Sequence, residues 1–329
     1  MYAEAYLPIA VNHTFSYLIP KQLENDIKKG SLVRLPFGNR FAIGYVDNII
    51  PNKEYSGDIK SVESIISNSI IENQNLIDLI DWMSRYYVTP KGLVVKNIFS
   101  FLFTKDFKKS KKEKEIMITS AGKQALESNQ IKGISRKYIL DIISAEKDFI
   151  KVKNLKTKVS SDSIKTLSRD QYIKTKESEV NYNPLLDVSV PEKAPQLQLS
   201  EKQNKIFKAL KSNIQNKGFC VNLIHGVTGS GKTEIYIKLV EDLLKQKKTA
   251  LILVPEIVLT PETARRFKLY FQDQVGIWNS SMTHAEKKWT WNNLNNKKLK
   301  IIVGTRSSVF LPLKHLSTII VDEEHDASY

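Results

Sequence analysis

At 329 residues the chain exceeds one ordinary hydrophobic core, which sets an expectation of two or three domains. Hydrophobic residues at 41% and charged residues at 26% exclude wholesale disorder, and no run of about 18 apolar residues is present to span a membrane. The net charge of +15 points to polyanionic partners, while a single cysteine, Cys220, excludes an internal disulfide and a cysteine-based zinc site within the chain. The N-terminal stretch carries Glu4 and lacks a basic segment followed by an apolar one. It does not read as a signal peptide, so a cytoplasmic location is expected.

In chain order, residues 1–104 read as a small β-rich domain with one helix. Thr14–Ile19, Ser31–Pro36 and Phe41–Asn48 are short runs rich in Val, Ile, Phe and Tyr, punctuated by Gly30, Gly38-Asn39 and Pro51. Ile71–Tyr87 has helical spacing, with Leu76, Ile77, Ile80, Met83 and Tyr87 on one face, and Pro90-Lys91-Gly92 ends it. Residues 105–180 open on a charged connector and continue as several short helices, with apolar sets at Ile139, Leu140, Ile142, Ile143 and at Val152, Leu155, Val159, Ile164, Leu167. Between Lys105 and Lys176 there are 19 Lys/Arg against 9 Asp/Glu, an excess of ten. Helix, turn, helix and a short β wing would use that charge on nucleic acid. A three-helix bundle with a solvated lysine surface is the alternative.

Residues 181–198, with three prolines, read as a linker. From Leu199 helices and strands alternate as in an open α/β sheet: strands at Phe219–Ile224, Thr249–Val254, Lys300–Val303 and Thr318–Val321, helices at Glu234–Gln246 and Pro261–Phe271.

The chemistry lies in this last part. Gly226-Val227-Thr228-Gly229-Ser230-Gly231-Lys232-Thr233 is a complete GxxxxGKT between an apolar strand and a helix. Glycines allow successive backbone N–H groups to face phosphate oxygens at a helix N-terminus. Lys232 supplies a compact charge for the β- and γ-phosphates of ATP, and the Thr233 hydroxyl a Mg²⁺ ligand. Asp322-Glu323-Glu324-His325 follows a second apolar run. There Asp322 can hold Mg²⁺ and Glu323 can activate the attacking water.

These paired motifs resemble the first motor lobe of superfamily 2 DExH helicases. HGVTGSGKTEIY (225–236), LVPEIVLTP (253–261), VGTRSSVF (303–310) and VDEEHDASY (321–329) resemble, more narrowly, the PriA family of replication-restart helicases. The resemblance implies a RecA-like α/β P-loop lobe over 199–329. It implies that Gln203 contacts adenine, an exposed helical glutamine being the alternative. Thr305 and Arg306 would contact the backbone of single-stranded DNA, with a plain strand-to-loop turn as the alternative.

NHTFSYLIP (12–20), VRLPFGNR (33–40), IKSV (59–62) and RYYVTPKG (85–92) resemble the family's 3′-DNA-end-binding domain, in which Phe15, Ser16, Gly38 and Lys60 would line the pocket. Without the resemblance Phe15 reads as core and Lys60 as surface. Ser16 stands where the family has an aspartate, and Asn279 where it tends to a histidine. Residues 105–180 would then be a winged-helix-like domain.

The implied activity is ATP-dependent 3′→5′ DNA unwinding at stalled or branched forks, leading to primosome assembly, with single-stranded-DNA-binding protein and other primosome proteins as partners. A generic superfamily 2 ATPase acting on RNA fits the front half less well. The family's second motor lobe, its hydrolysis-completing arginine and its cysteine-rich zinc insertion have no counterpart in the sequence. The expectation is therefore an incomplete lobe, with zinc only in the full-length family. As it stands, such a chain would bind DNA ends and ATP without turnover.

Overall fold

The computed structural model describes residues 1–329 apart from 52–57, 69, 71–72, 104–111, 147, 156–159, 216–217, 228, 256–260 and 328. The chain forms two compact units, Met1–Phe107 with Tyr182–Tyr329, and Lys108–Asn181. Among the described residues no helix is long and apolar enough to cross a membrane.

The first unit begins with five strands, β1 (Tyr2–Tyr6), β2 (Phe15–Leu18), β3 (Leu32–Phe37), β4 (Arg40–Ile50) and β5 (Ser64–Ser67), in the order β2-β1-β4-β3-β5 with antiparallel pairing throughout. Alternation sends Ala3, Ala5, Tyr17, Val33, Leu35 and Val46 into one core. The three expected strands are present, with β1 between β2 and β4, and β5 at the edge beside β3.

Helix α1 (Gln74–Tyr86) is capped by Asn73, whose side chain accepts from the Leu76 N–H at 3.2 Å. Leu76, Ile77 and Ile80 are buried and Met83 partly so, as their spacing requires. Tyr87 is instead 59% exposed, because the helix ends at Tyr86 and the Tyr87 backbone has left helical geometry. Pro90 lies just beyond the end of this helix, as expected. It precedes a second helix, α2 (Lys91–Ile98), in keeping with proline's tolerance at helix starts. Gly92 is required where it stands, since a Cβ would lie 1.9 Å from the Leu7 carbonyl oxygen.

The second unit contains β6 (Lys112–Ile118), α3 (Ser120–Glu127), α4 (Ile134–Ser144), β7 (Ile150–Lys151), α5 (Ser161–Arg169) and β8 (Ile173–Glu179). Its sheet has the order β7-β6-β8, both pairs antiparallel. The predicted apolar sets supply its core through Ile139, Leu140, Ile143, Leu155, Ile164 and Leu167; Val159 lies outside the described residues. The strand β6 precedes the helices and pairs along its length with β8, so among the described residues three α-helices accompany one three-stranded sheet.

The remainder of the first unit holds α6 (Glu201–Gln215), α7 (Lys232–Lys245), β9 (Thr249–Leu253), α8 (Pro261–Phe271), β10 (Val275–Trp278), α9 (His284–Asn295), β11 (Ile301–Gly304) and β12 (Leu316–Val321). Its four strands are parallel in the order β10-β11-β9-β12. The central strands β9 and β11 are buried along their length, as parallel strands covered on both faces must be.

Phe219–Ile224, expected as a strand, is in no ladder among the described residues. Phe219, Val221 and Leu223 are 96%, 81% and 75% exposed. The residue pattern is that of a buried strand, but strand structure is conferred by a bonded neighbour and none of the described strands pairs with it. The segment 182–198, within the stretch read as a linker, is bonded to the body of the first unit. Leu185 is buried, the Lys268 ammonium donates to the carbonyls of Leu185 and Val188 at 2.7 Å each, and Gln272 donates to the Pro191 carbonyl at 3.2 Å.

Candidate functional site

The chain enters α7 through the glycine loop. Gly229 and Gly231 take φ of +80° and +82°, in the region that only glycine enters without strain. At Gly231 a Cβ would also lie 2.2 Å from Gln203 Nε2. Gln203 thus packs on the loop, its Nε2 donating to the Gly231 carbonyl at 3.3 Å while its Oε1 accepts from the Ser200 N–H at 2.8 Å. The Lys232 ammonium donates to the Gly226 carbonyl at 2.8 Å, and the Ser230 N–H to the Val227 carbonyl at 3.1 Å. A loop of this shape, closed by a lysine at a helix N-terminus, can cradle a phosphate chain. Thr228 and residues 256–260 of the 253–261 motif lie outside the described residues.

Across from the loop, Asp322 follows β12 and its N–H bonds to the Leu253 carbonyl at 2.9 Å, which fixes it beside β9. Asp322, Thr233 and Tyr236 line one cavity of about 680 Å³, together with Val190, Pro191 and Phe267. Burial pushes the Asp322 carboxyl above its ordinary range, and the neighbouring Glu323 charge adds to this. The Tyr236 hydroxyl bond and the Lys232 charge oppose it.

A hydroxyl and a carboxylate facing one space, with a second carboxylate adjacent, form an oxygen donor set that suits Mg²⁺ carried by phosphates. Among the described residues no group of three His, Cys, Asp or Glu could hold a metal by itself. Glu323 takes φ +48°, a left-handed conformation uncommon outside glycine and asparagine, and its carboxylate lies 3.6 Å from His325 Nε2.

Of the other expected contacts, Arg306 is exposed, whereas Thr305 is 1% exposed, with its N–H bonded to the Trp278 carbonyl at 3.0 Å and its hydroxyl 3.4 Å from that of Ser307. Asn279 accepts from the Met282 N–H at 3.0 Å and the Ser281 hydroxyl at 2.8 Å, closing the turn after β10.

In the front sheet, the Phe15 ring sits 5.7 Å from that of Phe37 and 4.7 Å from that of His13. Phe37 leads into Gly38, which takes φ +57° with open space where a Cβ would be. The Lys60 ammonium donates to the Gly38 carbonyl at 3.3 Å. Phe15, Gly38 and Lys60 are therefore brought together. Ser16 is on the opposite sheet face by strand alternation, paired in register with Glu4 of β1.

Residues 4–100 match the family of PriA 3′ DNA-binding domains, and residues 196–329 match the family described as the res subunit of type III restriction enzymes. Replication restart protein PriA of Bacillus subtilis is 29% identical over 97% of this chain and 48% of its own length. That of Rickettsia conorii is 32% identical over 99% of this chain and 38% of its own. The Helicobacter pylori protein of the same name is 47% identical over 131 residues, 40% of this chain and 20% of its own. The chain belongs to the PriA family. It spans less than half the length of these curated relatives.

A 3′ DNA-binding domain and a helicase-like domain are thus both present, and the PriA features sit on the geometry described: the front match covers β1 to β5, and the second covers the glycine loop and the acidic motif. Sequence reasoning missed Tyr236, Phe37 and His13 as neighbours of these sites. Tyr236 had a signal, being three residues after Thr233 and hence on the same face of α7. His13 and Phe37 stand inside the motifs of residues 12–20 and 33–40, but their approach to Phe15 depends on how the loop before β2 and the β3–β4 hairpin fold back.

Proposed function

We propose that this chain supplies the DNA-end-recognising and ATP-binding parts of an ATP-dependent 3′→5′ DNA helicase that recognises stalled or branched forks and initiates replication restart. The observation that carries this is the presence in one compact unit of a phosphate-cradling loop facing Asp322-Glu323 and a sheet matching a 3′ DNA-binding family.

Backbone N–H groups of 226–231 and the Lys232 ammonium hold the phosphates. Thr233 and Asp322 hold Mg²⁺, which when bound neutralises charge on the transferring phosphoryl group. Glu323 orients and deprotonates the attacking water. Gln203, packed on Gly231, faces the adenine. Phe15 offers a ring to the terminal base and Lys60 a charge to its phosphate, while Gly38 admits the backbone; Ser16, on the other sheet face, takes no part in this pocket. Arg306, exposed after β11, contacts single-stranded DNA, with Thr305 shaping that turn. The basic unit 108–181 acts as a winged-helix-like DNA contact, and single-stranded-DNA-binding protein and primosome proteins are the partners.

The test is a fluorescent ATP-analogue titration with Mg²⁺. Lys232→Ala is expected to weaken binding about 10- to 100-fold, the effect of losing one charged hydrogen-bond partner. Equal affinity in wild type and variant would refute the nucleotide assignment.

A further inference from the structure

We propose that Tyr236 is a positioning residue for the metal-binding carboxylate, its hydroxyl holding Asp322 in the orientation that faces Thr233. This rests on reading the cavity between α7 and β12 as the Mg²⁺–nucleotide site.

Thr233 and Tyr236 lie three residues apart on α7, so one helix face presents two hydroxyls to the same cavity. The Tyr236 hydroxyl lies 3.3 Å from Asp322 Oδ1 and donates to it. Tyr236 is 6% exposed and belongs to the buried cluster that also holds Ile252, Val254, Phe267 and Val303. A buried tyrosine needs a partner for its O–H, and this one has found the carboxylate. The main chain of Asp322 is held independently, its N–H by the Leu253 carbonyl and its carbonyl by the Tyr329 hydroxyl at 3.0 Å. The backbone bonds therefore fix where the residue is, and Tyr236 fixes where its side chain points.

A pre-oriented carboxylate binds a cation without reorganisation, which is how a hydroxyl outside the donor set acts on metal affinity.

The experiment uses the full chain and a fluorescent ADP analogue, titrated in EDTA and at a series of Mg²⁺ concentrations. Tyr236→Phe keeps the ring and removes only the oxygen. It is expected to retain the EDTA affinity and to need about 5- to 10-fold more Mg²⁺ for half-maximal tightening, the size of one lost hydrogen bond. In an Asp322→Ala background the same change is expected to shift nothing further, whereas a general packing defect would weaken both affinities in both backgrounds. An unchanged Mg²⁺ midpoint in Tyr236→Phe, with the wild type responding to Mg²⁺, overturns the role of Tyr236 alone. A wild type whose affinity ignores Mg²⁺ overturns the reading of the site as well.

Discussion

Lys91 shows what a single side chain can carry in this fold. Its ammonium bonds to Asp47 Oδ1 at 2.7 Å, pairs with Asp81 Oδ1 at 2.7 Å and stands 4.9 Å above the Tyr6 ring, joining β4, α1 and β1. Burial works to lower its pKa, but the bonds and charges of Asp47 and Asp81 outweigh it and leave the value raised. Lys91→Met leaves the partly buried Asp47 without its cation and Asp81 with only Lys29 at 3.9 Å, and is expected to cost about 3 kcal/mol, the lower end of the range for breaking a buried pair. The urea midpoint measures it, and a loss below about 1 kcal/mol would make this an ordinary surface pair. Because the folded value is raised, the contribution is complete below about pH 10 and is lost as pH climbs through the folded value. Wild-type stability should therefore fall at strongly alkaline pH more steeply than that of Lys91→Met.

At the scale of elements, the proposed DNA-end site depends on three pieces meeting: β2 supplies Phe15, the turn between β3 and β4 supplies Gly38, and the residue before the bridge at Ser61 is Lys60. The Leu18 N–H donates to the Lys60 carbonyl at 3.0 Å, so the same backbone contact that ends β2 delivers the lysine to Gly38. Stacking a base on an aromatic ring is worth about 1–3 kcal/mol, so Phe15→Ala is expected to weaken binding to a fork with a free 3′ end about 5- to 150-fold. On a fork with a phosphate-blocked 3′ end the change should be small. A variant with an unaltered circular dichroism spectrum and melting profile, yet equally weakened on both forks, would remove end recognition from Phe15.

Over the whole molecule, the front sheet and the α/β lobe are not separate bodies. Phe99 and Phe101, at the end of the front segment, pack edge-on against Trp291 of α9 at 5.5 and 5.3 Å, and Phe101 also meets Trp278 of β10 at 5.2 Å. Leu76, Ile80 and Val95 belong to the same buried cluster as Leu251, Leu253 and Ile302. A core that crosses from one sheet to the other should unfold cooperatively. Trp291→Ala is expected to cost about 3–5 kcal/mol and to raise amide exchange in α1 and α2 as much as in α9. Loss confined to α9 and its own sheet would show the two parts to be energetically independent.

What the residues determined by themselves is local. The glycine loop needs its glycines at Gly229 and Gly231 because φ is positive there, and short-range spacing is enough to place α1, α8, β9 and the core of the second unit. The pairing of loop and acidic motif was legible because each is a contiguous run. Long-range contacts were not. The apolar alternation of 219–224 reads as a strand, but a strand exists only when another backbone bonds to it, and the described residues provide none. Outer strand β12 likewise leaves Ile319 half exposed, a state its apolar sequence does not predict. Thr305, a DNA contact by resemblance, is buried, and the linker read at 181–198 is bonded to Lys268 through the carbonyls of Leu185 and Val188. Only the folded chain decided that Tyr236 meets Asp322 and that Phe101 meets Trp291. Burial and hydrogen-bond partners are set by which distant segments pack together, and spacing along the chain carries no record of that.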